Sequence, residues 1–133
     1  MLLYFRIMAQ HNKIGKIGEQ IACEYLIAQG FIIRETNWRM GKLEIDIVAH
    51  KPNTDLLHIV EVKTRSSDEN FDPMQAITAA KIRSLVSAAN SYINFYDLHM
   101  SVQYDVMIIV GKVPDYKVLY IPDAFQPPLR TIR

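Results

Sequence analysis

The 133 residues are half hydrophobic and about a fifth charged, enough chain to bury a core as one domain and too apolar for a disordered tail. A net charge of +1 excludes a global basic field, so any nucleic-acid contact has to come from a local patch. The single cysteine excludes an internal disulfide and fits a reducing, cytoplasmic compartment, and no segment is long and apolar enough to span a bilayer, so no membrane role is expected.

Met1 to Ile7 is hydrophobic but too short for a signal peptide and lacks its leading basic residues. Residues 1–12 therefore read as a flexible leader, or as an upstream start with Met8 as the true initiator. Ile14, Ile17, Ile21, Tyr25 and Ala28 recur at three- and four-residue steps and predict an amphipathic helix over 13–29, ended by Gly30. Cys23 falls mid-helix as a small, partly buried side chain. Phe31 to Arg39 alternates loosely as a first strand, with the Trp38 ring in the core. Strands near 43–49 and 56–64 flank Lys51-Pro52-Asn53-Thr54-Asp55, which has the composition of a turn. After a polar connection, Asp72-Pro73-Met74-Gln75 reads as the start of a second helix, with Asp72 as N-cap, Pro73 at the first helical position and Gln75 completing a capping box. Its stripe is Ile82, Leu85, Ala89, Tyr92 or Ile93, and Tyr96. Val102–Val110 is a fourth strand, Gly111–Tyr116 a turn, Lys117–Ile121 a fifth strand, and the tail from Pro122 is expected to be irregular. The order αβββαββ predicts an α/β fold with a mixed central sheet of about five strands flanked by helices. The long helix between the third and fourth strands permits a parallel crossover.

Chemistry concentrates in two strands. Side chains on a strand alternate between faces, so Glu44 and Asp46 are expected on one face, and Glu61 and Lys63 on one face. A hairpin closed around Pro52–Asp55 sets position 46 opposite 61, 44 opposite 63, Ile45 against Val62 and Ile47 against Val60. One face is then apolar, and the other holds adjacent carboxylates with a lysine beside them. Like charges directly opposite destabilise a sheet, and a divalent cation converts that repulsion into coordination. Mg²⁺ (or Mn²⁺) would take oxygens from Asp46 and Glu61, with the Val62 carbonyl as a third. Lys63 would orient a water or offset charge on the phosphorus centre. The plainer reading of the same spacing is a solvated face with a Glu44–Lys63 cross-strand pair, since Glu-x-Lys is common in strands.

Further motifs carry a family resemblance. Gly18-Glu19-Gln20-Ile21-Ala22, Asn37-Trp38-Arg39, Glu44-Ile45-Asp46-Ile47-Val48-Ala49, Val60-Glu61-Val62-Lys63-Thr64-Arg65 and Pro73-Met74-Gln75-Ala76-Ile77 occur in the order seen in the YraN-like family of small bacterial proteins. That family resembles Holliday-junction resolvases of the PD-(D/E)xK, or restriction-endonuclease-like, superfamily. The likeness runs from about residue 13 to Phe125, implying a single nuclease-like domain over 13–125 with an irregular tail over 126–133. It implies metal roles for Asp46 and Glu61, a catalytic role for Lys63, and an outer, water-mediated metal role for Glu19; Glu44 matches the glutamate two before the aspartate. One departure is visible: the family has Gly-Gly immediately before that glutamate, where this chain has Lys42-Leu43.

Several residues have competing explanations. Glu19 sits on the edge of the helical stripe and is either the outer ligand or a surface glutamate. Gln75 falls where related nucleases can place a residue near the site, but its place in the capping box already explains it. Arg65 follows the motif and is the better candidate for a phosphate contact; Lys81 and Arg83 are weaker ones on a helix face. The histidines show no ligand spacing, His58 is expected as a satisfied partner, and Asp105 is expected to bind a backbone group or a basic side chain. The expected activity is Mg²⁺-dependent hydrolysis of DNA phosphodiesters, with branched DNA as a candidate substrate and a homodimer as the state that junction cutting requires. The alternatives are a non-catalytic nucleic-acid-binding module on the same fold and a protein-interaction subunit with a vestigial acidic pocket.

Overall fold

The computed structural model describes residues 14–66, 72, 77–112 and 114–128. The expected leader (1–12), the Pro73–Gln75 part of the expected helix start and the last five residues lie outside the described residues. Helix α1 (Ile14–Ala28) buries Ala22, Cys23 and Leu26. It closes where Gly30 adopts φ +95°, and Phe31 N–H reaches back to the Leu26 carbonyl. Strands β1 (Ile32–Met40), β2 (Leu43–His50) and β3 (Leu56–Arg65) follow, then helix α2 (Ala79–Tyr96), β4 (Ser101–Lys112) and β5 (Asp115–Phe125). The five strands lie in the order β1-β2-β3-β4-β5, antiparallel except for the parallel β3–β4 pair across the α2 crossover. This is the mixed α/β architecture and the αβββαββ order expected from the periodicities.

One helix covers each face of the sheet. Leu85, Ala88, Ala89 and Tyr92 of α2 pack on Ile45, Val48, Leu57 and Ile59, with Trp38 edge-on to Tyr92. Ala22, Cys23 and Leu26 of α1 pack on Ile47, Ala49, Val60, Met107 and Ile109. The central strands β3 and β4 are covered on both sides and read as nearly continuous apolar runs, as parallel strands do.

Three expectations are corrected. Helix α2 starts at Ala79, not after Asp72: Thr78 caps it, its Oγ1 accepting from Lys81 N–H at 3.1 Å. The tail from Pro122 is not irregular at first, because β5 continues to Phe125. It is an edge strand, where a proline without an N–H is tolerated. The apolar face expected to join Ile45 and Ile47 does not exist, since Ile45 enters the α2-side cluster and Ile47 the α1-side cluster. Across on β1, Asn37 has φ +52° and falls between the pairs Thr36↔Ile47 and Trp38↔Ile45. Asn37 turns the side chains of β1 at this level, and on β2 the two-residue alternation also breaks at Asp46.

Candidate functional site

The hairpin register matches the expected one at Ile47↔Val60, and pairing runs from there to His50↔Leu57. Both strands continue past Ile47 and Val60, but they no longer pair with each other; β3 stays paired with β4 as far as Arg65↔Val110. The sheet therefore splits between β2 and β3. Asp46 lies at the apex of the split, and its Oδ2 accepts from Val62 N–H at 2.9 Å, taking the place of a main-chain acceptor. The N–H and C=O of one strand residue point to the same flank, so the Val62 carbonyl faces the split too.

Asp46 and Glu61 are both buried, 8% and 3% exposed, and are close enough to share a hydrogen bond. Two carboxylates can share such a bond only through a proton. Burial first, then the negative charge of Glu61, pushes the Asp46 carboxyl up to about 8, with only the Val62 N–H opposing. Lys63 Nζ stands 3.3 Å and Lys81 Nζ 3.5 Å from Glu61 Oε2. Lys63 arrives by the alternation of β3. Lys81 reaches it from the first turn of α2, which Thr78 caps.

Glu19 projects toward this group from α1. Desolvation raises its pKa above the ordinary value; an Asn37 hydrogen bond and Lys16 lower it, and Glu44 and Glu61 raise it further. Its Oε1 is buried without a hydrogen-bond partner among the described residues. Helix α1 comes this close because residue 18 is glycine: a Cβ there would collide with Thr64 Oγ1.

The remaining expected residues are placed differently. Glu44 is not paired with Lys63 but bonded to Arg39 at 3.1 Å, its partner in the β1–β2 register, because β2 has left β3 at this level. Arg65 Nη1 donates to the Thr64 carbonyl along its own strand. Arg83 is exposed on α2, and no contact joins it to the carboxylates among the described residues. Lys81, expected as a weak phosphate contact, belongs to the carboxylate cluster itself. Gln75 lies outside the described residues. Asn37 was missed as a site residue; its signal is an asparagine inside a strand pattern, the residue type that most readily accepts a left-handed backbone after glycine.

Among the described residues no group of three or more Asp, Glu, His or Cys side chains closes around a common point. The oxygens of Asp46 and Glu61, the Val62 carbonyl and the unpartnered Glu19 Oε1 nevertheless form an all-oxygen donor set of the kind a hard divalent cation takes together with several waters. The chemistry of these donors suits such an ion, but as placed the acidic side chains do not enclose one among the described residues.

A second buried polar group lies lower on the α1 face. Asp105, fully buried on β4, accepts from His58 Nδ1 at 2.7 Å, Tyr120 Oη at 2.6 Å, Asp123 N–H at 2.9 Å and Gln103 Nε2 at 3.0 Å. Burial pushes its pKa up, but the hydrogen bonds from His58, Tyr120, Asp123 and Gln103 outweigh it and hold the carboxyl below the usual aspartate value. Both expected kinds of partner, a basic ring and a backbone N–H, are present. Among the described residues no helix is long and apolar enough to cross a membrane.

Fold and site together define a small α/β protein with a buried carboxylate pair and two lysines at a split in a mixed sheet. The chain belongs to the family described as Uncharacterised protein family UPF0102, whose profile matches residues 18–109 and so takes in Glu19, Asp46, Glu61, Lys63 and Lys81. This is the YraN-like membership expected from the motifs. It is 44% identical over 122 residues to a UPF0102 protein of Bacteroides fragilis, covering 92% of this chain and 99% of that one. It is 42% identical over 118 residues to one of Flavobacterium psychrophilum, covering 89% and 98%. Among solved structures, the SPO1766 protein of unknown function from Silicibacter pomeroyi aligns with a TM-score of 0.40 and 12% identity, over 84% of this chain and 73% of that one.

Proposed function

We propose that this protein hydrolyses DNA phosphodiesters with a divalent cation, as a nuclease of the PD-(D/E)xK, restriction-endonuclease-like type acting in the bacterial cytoplasm. The observation that carries the reading is the Asp46–Glu61 pair at the sheet split with Lys63 beside it. Asp46, Glu61 and the Val62 carbonyl would hold Mg²⁺ or Mn²⁺, with Glu19 reaching it through water; the ion supplies Lewis-acid polarisation of the phosphate. The chain does the rest. Loss of the proton between Asp46 and Glu61 leaves two carboxylates able to act as ligands. Lys63 Nζ, freed from its bond to Glu61, orients the attacking water and offsets charge developing on the phosphate oxygens. Lys81 and the N-terminal turn of α2 hold a neighbouring phosphate, and Arg65 extends the basic rim. With a net charge of only +1, affinity rests on these few groups, which favours a substrate that engages two copies at once, such as branched DNA bound by a homodimer.

The test is cleavage of labelled duplex, nicked, flap and four-way-junction DNA with Mg²⁺ or Mn²⁺. Product from the wild type and none from a folded Asp46→Ala variant supports the proposal; equal inactivity of both folded proteins across the panel refutes it. One observation favours a second reading, a non-catalytic nucleic-acid-binding module: Glu61 is already neutralised by two ammonium groups, and no three-donor cluster closes among the described residues. That reading predicts salt-dependent DNA binding without metal-dependent product.

A further inference from the structure

A cavity of about 400 Å³ opens at the other end of the α1 face, within the size range of small-molecule sites. Its wall is aromatic: Phe31 and Tyr120 meet edge to face, and the His58 ring stands against Phe31 with centroids 4.8 Å apart. Lys51 Nζ lies 4.9 Å from the centre of that same Phe31 ring and has no carboxylate partner among the described residues. Thr54 Oγ1 donates to the Lys51 carbonyl at 2.8 Å, which stiffens the turn that carries the lysine.

The His58–Asp105 pair sits at the floor. His58 is 7% exposed and bonded to Asp105 through Nδ1. Nε2 makes no hydrogen bond among the described residues and is not sealed from solvent, so it is the polar atom the ring offers to the cavity. Asp105 itself is enclosed by four donors, and none of the described residues lining the cavity is acidic. The site thus combines a corner of two aromatic rings set at a right angle, one oriented imidazole nitrogen and one ammonium group, with no acidic side chain among the described lining residues. That is complementary to a planar heterocycle bearing an anion.

We infer that this cavity is a second binding site, separate from the carboxylate split, that takes a nucleotide. The base sits in the corner between the Phe31 and Tyr120 rings and bonds to His58 Nε2, and the phosphate rests on Lys51. The same chemistry has two sources, a free nucleoside monophosphate or the phosphorylated end of a DNA strand. His58 is three residues from Glu61 on β3, about 10 Å along the strand.

The experiment is an amide chemical-shift titration of the full chain in EDTA. The probes are AMP, a short single strand with a 5′-phosphate, the same strand with a 5′-hydroxyl, and inorganic phosphate. Saturable shifts at Phe31, Lys51, His58 and Tyr120 are expected with AMP or the phosphorylated strand. Lys51→Ala, at an exposed turn position, weakens binding about tenfold or more, and Asp46→Asn leaves it unchanged. AMP binding tighter than the strand identifies a free nucleotide. The phosphorylated strand binding tighter than both AMP and its hydroxyl twin identifies a strand end. Inorganic phosphate binding as tightly as AMP means an adventitious ion only and overturns the inference, as do absence of saturation, indifference to Lys51→Ala, or loss on Asp46→Asn. The outcome is independent of whether the split hydrolyses DNA, since no divalent cation is present.

Discussion

Replacing Asp46 by asparagine should stabilise the metal-free protein at neutral pH, and the size of the effect follows from the site. In the folded chain the Asp46 carboxyl is held up to about 8, from an ordinary value of 3.8. Each tenfold change in proton affinity is worth about 1.4 kcal/mol. At pH 7 the folded protein keeps a proton that the unfolded chain has released, at a cost of up to about 4 kcal/mol. Asparagine never ionises, so it removes that cost, and its side-chain oxygen can still accept from Val62 N–H. It retains the desolvation penalty of a buried amide, about 1–3 kcal/mol. The expected net gain is about 1–3 kcal/mol.

The sign with pH is equally definite. A raised carboxyl contributes stability that is fully present below about pH 4 and is lost as pH rises toward 8. Wild type in EDTA should therefore lose stability across that window, whereas Asp46→Asn keeps only the shallower slope left by Glu19, whose pKa is also raised. The assay is urea denaturation of both proteins from pH 4 to pH 8. The curves should nearly coincide at pH 4 and separate as pH rises. An Asp46→Asn protein less stable than wild type at pH 7.5, or parallel profiles across the range, would refute the shared-proton account of the pair.

Other outcomes follow from the same geometry. Millimolar Mg²⁺ or Mn²⁺ should raise the melting temperature of wild type and not of Asp46→Asn, since an ion that binds only the folded state stabilises it by mass action; thermal melting with and without EDTA reads this. Lys63→Ala should lower kcat by about 100-fold or more on any DNA that wild type cuts, whereas Lys81→Ala, acting on a flanking phosphate, should raise KM more than it lowers kcat. Gly18→Ala should destabilise by about 1–3 kcal/mol through the clash with Thr64 Oγ1. In a Thr64→Ala background the same change should turn neutral or stabilising, because alanine is the better helix former; denaturation of the four proteins of the cycle tests it.

The core of the site was legible because it depends on local rules. A turn at Pro52–Asp55 sets the Ile47↔Val60 register, which carries Asp46 to the level of Glu61, and the period of two along β3 puts Lys63 beside Glu61. The features that escaped are set by other elements. Nothing within β2 reveals that its alternation breaks at Asp46, opposite the left-handed Asn37 of β1, so that Ile45 and Ile47 enter opposite cores and Glu44 meets Arg39. Lys81 reaches Glu61 only because α2 starts at Thr78, and the sequence also offers Asp72-Pro73 as a chemically good helix start. Local capping preferences cannot rank the two; the placement of Leu85, Ala88, Ala89 and Tyr92 over the sheet goes with the later one.

Asp46 and Asp105 show why composition could not separate a carboxyl whose pKa rises from one whose pKa falls. Both are buried aspartates flanked by apolar strand residues, so alternation treats them alike. They differ in how many donors the fold supplies. Asp105 collects four, from β3, β4 and β5, and its carboxyl falls below the usual value. Among the described residues Asp46 has one donor, the Val62 N–H, against the adjacent Glu61, and its carboxyl rises. Asp105 is complete within the chain, whereas Asp46 is short of positive charge that a cation would supply. The same Asp→Asn change should therefore have opposite signs. At Asp105 it removes a charge that four donors stabilise and costs about 2–3 kcal/mol, with the loss present above pH 4 and shrinking as acid protonates the wild type. At Asp46 it stabilises. Urea denaturation of both variants at pH 7.5 and pH 3.5 decides it, and two variants shifting in the same direction at pH 7.5 would show that donor number does not set the role of these carboxylates.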